Sequence, residues 1–140
     1  MSGLDLLKRS YDMIRIATNI DQSKRLIELG LDPKTADCRH VFCGTTQGED
    51  IYQLELGEPN VDEEIVPAWS LTALLELMPA KEGDRPIIEK IRPGEYTCKY
   101  LDTEEKAVFI RKFGDIPIDA AYSMMCHLLE KGFIKPGTSL

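Results

Sequence analysis

The chain has 140 residues, 43% of them hydrophobic and 29% charged, which sets it among folded chains with one ordinary core and apart from disordered ones. Its longest uncharged apolar run, from Ile65 to Leu75, falls short of the ~20 residues a bilayer span needs, and Met1 to Asp5 lack the basic start and apolar core of an export signal, so a cytoplasmic setting is expected. The formal net charge of −7 sits in one stretch: between Arg39 and Lys81 there is no Lys or Arg, but there are eight carboxylates, Glu49, Asp50, Glu55, Glu58, Asp62, Glu63, Glu64 and Glu76. Such a field attracts a cation or a basic partner and repels nucleic-acid phosphate.

Ser2 followed by Asp5 resembles a capping box, and Leu4, Leu7, Tyr11 and Ile14 then recur at helical spacing, which predicts a first amphipathic helix. Asn19 or Asp21 caps a second, shorter helix that ends at Gly30, before Asp32-Pro33 turns the chain. Cys38 to Cys43 and Asp50 to Leu56 favour extended chain, with Gly44 to Gly48 between them as the turn of a β-hairpin. In its second strand Tyr52, Leu54 and Leu56 share a face, and Gln53 and Glu55 take the other.

Pro67 and Pro79 bracket a third helix. Ser70 suits its N-cap, and Trp69 just before it is placed to pack on Leu74 as a hydrophobic staple. Leu71, Leu74, Leu75 and Met78 lie on one side of this helix, as expected of a buried element. Beyond the Lys81–Arg85 loop, Pro86–Ile91, Glu95–Leu101 and Lys106–Phe113 read as strands, with Tyr96, Cys98 and Tyr100 on one face and Thr97 and Lys99 on the other. A last helix begins near Asp115, Pro117 and Asp119 and closes at Lys131-Gly132. Its expected buried stripe is Ile118, Ala121, Tyr122, Met125, Leu128 and Leu129.

The order α-α-β-β-α-β-β-β-α, without βα alternation, predicts an α+β fold with a mainly antiparallel sheet and helices packed on one face. A single domain is expected over residues 1–134, followed by a frayed tail over residues 135–140.

Three blocks carry a resemblance: Ile20–Asp37, Val66–Pro79 (VPAWSLTALLELMP) and Pro117–Leu129 (PIDAAYSMMCHLL). They resemble a group of small, uncharacterised bacterial proteins of gut anaerobes, often found among prophage or other mobile-element genes. The group's pattern W-S-L-x-x-L-L-x-x-L-P is matched by Trp69, Ser70, Leu71, Leu74, Leu75 and Pro79, with Met78 where leucine is usual. A second pattern, P-x-D-A-x-x-x-M, is matched by Pro117, Asp119, Ala120 and either Met124 or Met125. The resemblance implies a bacterial accessory protein. It transfers no catalytic residue, because both blocks consist of helix caps and core side chains.

Several constellations invite a functional reading. Cys38-x-His40-x-x-Cys43 is the nearest approach to a zinc motif, with Cys98 or His127 as a conceivable completion. In an extended strand, however, residues 38 and 40 face together and residue 43 faces away, and zinc hairpins use the tighter C-x-x-C knuckle. All four cysteines, Cys38, Cys43, Cys98 and Cys126, therefore read as reduced thiols, most of them small apolar residues. His127 falls on the helix face opposite Met125 and Leu129, with Ser123 and Glu130, where solvation is expected. Cys126 is set about 100° from it around the helix, which argues against a cysteine–histidine pair.

The run Asp62-Glu63-Glu64, with Glu58 upstream, lacks the alternation and glycine of a calcium loop and reads as a solvated acidic segment. Phosphate-loop, dinucleotide, esterase and zincin motifs are all absent from the sequence. Arg111-Lys112 between Phe109 and Phe113, and Lys8-Arg9 with Arg15, are short basic groups. A pI near 4.9 argues against a dominant nucleic-acid face.

The sequence thus favours a non-enzymatic accessory or protein-interaction module that needs no cofactor and meets a protein partner, a basic one by charge, through Glu49, Asp50, Glu58, Asp62, Glu63 and Glu64. Two readings compete with it. One is a small metal protein or enzyme centred on Cys38, His40 and Cys43; the other is an acidic DNA mimic of the anti-restriction type. The oligomeric state stays open, a homodimer included.

Overall fold

The computed structural model describes residues 15–57, 65–80, 85–102 and 107–134. The expected N-terminal helix, the 135–140 tail and the carboxylates of Glu58, Asp62, Glu63 and Glu64 lie outside these residues.

Helix α1 (Ile20–Glu28) starts where the sequence places it. Asn19 accepts from the Gln22 amide at 2.7 Å, and the Gln22 side chain accepts from the Asn19 amide at 3.1 Å, which satisfies two donors the helix would otherwise leave orphaned. At the other end Gly30 adopts φ 104°, and its amide and that of Leu31 return to the Ile27 and Leu26 carbonyls. This is a Schellman closure, which glycine enters without a Cβ clash.

The first sheet contains β1 (Cys38–Thr46), β2 (Glu49–Leu56) and β3 (Ile65–Ala68) in the order β2-β1-β3, all antiparallel. Its hairpin turn is tighter than the expected Gly44–Gly48 loop. Only Gln47 and Gly48 form it, both at positive φ, the geometry of a two-residue turn whose twist matches that of the strands. Gly44 instead follows a bulge in β1, where the register shifts between Phe42 and Gly44. Strand β3 is absent from the sequence-based order. Its four residues pair with the free edge of β1, and Pro67 is tolerated because β3 is an edge strand.

Helix α2 (Leu71–Leu77) follows at once. Ser70 caps it by accepting from the Ala73 amide at 3.1 Å, and Trp69 and Leu74 are both fully buried in one core cluster, as the staple requires. The second sheet, β4 (Pro86–Arg92), β5 (Glu95–Asp102) and β6 (Ala107–Gly114), is an antiparallel meander with β5 in the centre. The α+β class and the antiparallel pairing hold, and the strands divide into two sheets of three.

Helix α3 (Pro117–Glu130) packs across the second sheet and also contacts α1 and α2. It buries Ala120 and Met124 in addition to Ile118, Ala121, Met125, Leu128 and Leu129, so its apolar face is wider than the expected stripe, and Tyr122 is only half-buried. Its start abuts the end of β6. A Cβ on Gly114 would lie 2.3 Å from the Ala120 nitrogen, so only glycine lets strand and helix approach this closely. Asp119 in the first turn pairs with Arg15 and accepts from the Gln22 side chain at 2.8 Å, which links α3 to the start of α1.

Candidate functional site

The three residues of the zinc-like motif are spread by β1 rather than gathered. Cys38 is fully buried in a small cluster with Ala17 and Ala68. Burial, reinforced by the neighbouring Asp37 carboxylate, pushes its thiol up to about 11. His40, beside it on the same face, has Nε2 2.8 Å from the Thr18 carbonyl oxygen. Cys43 sits at the bulge, exposed, with Sγ 3.4 Å from the Val41 carbonyl and 3.9 Å from Gln53 Oε1. Among the described residues no three His, Cys, Asp or Glu side chains come close enough to share a metal ion.

Of the six carboxylates assigned to an interaction surface, Glu49 and Asp50 are described. Both are exposed beside the Gln47-Gly48 turn, and neither pairs with a cation among the described residues. Asp50 accepts from Thr45 Oγ1 at 3.0 Å, across the hairpin. Glu55, further along β2, is neutralised by Arg39 at 3.2 Å in the directly opposed position.

The basic pair Arg111-Lys112 does not form one patch. Alternation along β6 sends the two side chains to opposite faces. Arg111, opposite Lys99, is exposed, whereas Lys112, opposite Cys98, is half-buried on the face that carries α3. Phe113 is 52% exposed.

Lys112 is also one wall of a hollow of about 400 Å³ between α1, β6 and α3. Arg25 of α1 forms another wall, and α3 contributes Tyr122, Ser123, Cys126, His127 and Glu130. Arg25 divides its guanidinium between Glu28 and Glu130, each at 3.3 Å. Burial raises the Tyr122 hydroxyl to about 12 and also raises the Cys126 thiol, while a hydrogen bond between the two lowers the thiol in part. His127 is pushed the other way, first by burial and then by Lys112 and Lys131, with Glu130 opposing. At neutral pH the hollow therefore holds a neutral thiol, a neutral imidazole, two hydroxyls, the Glu130 carboxylate and two permanent cations, of which Arg25 is paired with that carboxylate. That set can hold a ligand by charge and hydrogen bonds, and it lacks the thiolate that nucleophilic attack requires.

The sequence placed Ser123, His127 and Glu130 on one face, and they do lie together. It treated that face as bare solvent, whereas Arg25 and Lys112 turn it into a hollow. Cys126 reaches the same hollow despite its 100° offset, because the walls wrap around the flank of the helix. No local signal joins Arg25 to Glu130, which are 105 positions apart.

No protein-family model matches the chain, and neither a curated protein nor a solved structure matches it. Among the described residues no helix is long and apolar enough to cross a membrane.

Proposed function

We propose that the chain is a non-enzymatic accessory module that acts in the cytoplasm by binding a protein partner through the β1–β2 hairpin, with a basic, extended segment of that partner as the recognised element. The observation that carries this reading is the edge strand β2. It is the outer strand of its sheet, with Glu49 and Asp50 uncompensated at one end and Ile51 and Leu56 exposed along it, Leu56 at 75%.

An open strand edge offers a row of backbone donors and acceptors to an added strand, and carboxylates beside it select for a cationic one. The stretch from Arg39 to Lys81 supplies further acidic residues by sequence, Glu58, Asp62, Glu63 and Glu64 among them. The bacterial mobile-element setting suggested by the Trp69–Pro79 and Pro117–Leu129 blocks belongs to the same proposal.

The test is fluorescence anisotropy with a labelled peptide of alternating lysine and valine, read at rising salt. The intact protein should bind it, and the affinity should fall as the screening length drops below ~10 Å. The double variant Glu49→Lys, Asp50→Lys should lose at least tenfold in affinity while its thermal unfolding barely changes. Equal binding by the double variant, or binding indifferent to salt, would rule out the hairpin as the recognition surface.

A further inference from the structure

We propose that the hollow between α1, β6 and α3 is a binding site for a small phosphoryl oxyanion, either free phosphate or a phosphate monoester, with Lys112 and Arg25 supplying the charge and Ser123 and His127 neutral hydrogen bonds. It is independent of the hairpin, which lies in the other sheet.

Lys112 is the leading observation. Its register opposite Cys98 roots it on the packed face of the second sheet, where the neighbouring side chains are apolar, and it is half-buried at the wall of the hollow. It has no carboxylate partner among the described residues, although the chain carries seven more negative than positive charges. Its ammonium, on the wall of the hollow with no described carboxylate beside it, is a place where a bound anion would supply the missing charge.

The local field agrees. Among the described residues Glu130 is the one carboxylate lining the hollow, and it is already engaged by Arg25 at 3.3 Å. Burial is the main cause that holds the His127 imidazole below its ordinary value, and Lys112 and Lys131 add to it while Glu130 opposes them. Among the described residues Lys112 is thus the lining cation left without a carboxylate.

Shape and chemistry narrow the ligand. Donors come from three elements: a guanidinium from α1, an ammonium from β6, and a hydroxyl and an imidazole from α3. Donors arranged around a volume suit a tetrahedral oxyanion, whose oxygens point in several directions, better than a planar carboxylate. A volume of about 400 Å³ is at the small end of ligand sites, ample for a phosphoryl group with a modest organic substituent. The neutral Cys126 thiol and the Tyr122 hydroxyl complete the lining without adding negative charge near pH 7.

Isothermal titration calorimetry at constant ionic strength tests this, with inorganic phosphate, phenyl phosphate and acetate as probes. Phosphate or phenyl phosphate should bind at least tenfold more tightly than acetate. A preference between the first two distinguishes the free ion from a monoester. Lys112→Gln should weaken binding at least tenfold, and Ser123→Ala, a smaller perturbation of the fold, should weaken it severalfold. Arg111→Gln, on the opposite face of the same strand, should leave it unchanged. Binding that is absent for both phosphates, equal for acetate, unaffected by Lys112→Gln and Ser123→Ala, or equally weakened by Arg111→Gln would overturn the proposal. The last outcome would mean diffuse attraction to surface charge.

Discussion

The indole nitrogen of Trp69 donates to Thr35 Oγ1 at 2.9 Å, and the same hydroxyl donates to the Asp32 carbonyl at 2.6 Å. The fully buried ring is thereby fixed to the 3₁₀ turn Pro33–Thr35, while its backbone amide donates to Thr18 Oγ1 at 3.1 Å and its carbonyl accepts from the Thr18 amide at 2.9 Å. Trp69 thus joins α1, the 3₁₀ turn, β3 and α2.

Thr35→Val should strand the indole donor in a buried site, at a cost of about 1–3 kcal/mol. Leu74→Ala, in the same buried cluster as Trp69, should cost about 2–5 kcal/mol. Urea unfolding monitored by Trp69 fluorescence measures both, and the native emission should be blue-shifted and move to longer wavelength on unfolding.

Gly114→Ala should be poorly tolerated for a steric reason alone. The new Cβ would meet backbone of α3, 2.3 Å from the Ala120 nitrogen and 2.7 Å from the Asp119 carbonyl carbon, and backbone cannot swing aside as a side chain can. Separating β6 from α3 should cost about 1–3 kcal/mol or more, read as a lowered thermal midpoint.

Thr97 lies on the central strand of the second sheet, fully buried, and its Oγ1 has no hydrogen-bond partner among the described residues. The sequence assigned it to the face opposite Tyr96, Cys98 and Tyr100. Thr97→Val keeps the branched shape and removes the unpaired hydroxyl, so stability should rise by about 1–2 kcal/mol. A loss of stability in chemical denaturation would show that the hydroxyl is satisfied in solution.

The four thiols should separate by reactivity. Cys43, exposed, should react first with a chromogenic disulfide, Cys126 more slowly, and Cys38 and Cys98 only after unfolding. Burial raises the Cys98 thiol to about 12 and the Cys38 thiol to about 11, against an ordinary value of 9.0. Because the folded-state values are raised, the folded chain holds these protons more tightly than the unfolded one. Their contribution is complete below about pH 9 and is lost as the pH climbs toward 11 and 12. Unfolding free energy measured from pH 8 to 11 should therefore fall, and less steeply in Cys38→Ala than in the intact chain.

Cys38, His40 and Cys43 should hold no zinc. The thiols belong to opposite faces of β1, and His40 Nε2 already meets the Thr18 carbonyl. Elemental analysis of protein purified without chelator should find zinc far below one per chain. Near-stoichiometric zinc that disappears in Cys43→Ser would instead make the motif a metal site.

Sequence alone determined the features that depend on neighbours a few positions apart. A cap at Asn19 or Asp21, the Gly30 and Gly132 closures, the Ser70 cap with Trp69 and Leu74 placed as a staple and the shared face of Tyr96, Cys98 and Tyr100 all follow from local spacing along the chain. Periodicity acts over two to four residues, so it can be read directly along the chain. Tertiary structure decided what depends on register and packing between distant segments. The four residues of β3 are too few to show a period, and they become a strand only because β1 offers an edge. Thr97 follows the alternation of β5 correctly, yet alternation cannot say that its face is also covered. The hollow is the extreme case, since Arg25, Lys112 and His127 are unremarkable in their own helices and strand. Their shared surroundings exist because α3, seated on the second sheet, brings its polar flank against α1. Such a meeting is set by the packing of whole elements, for which no short stretch of sequence carries a signal.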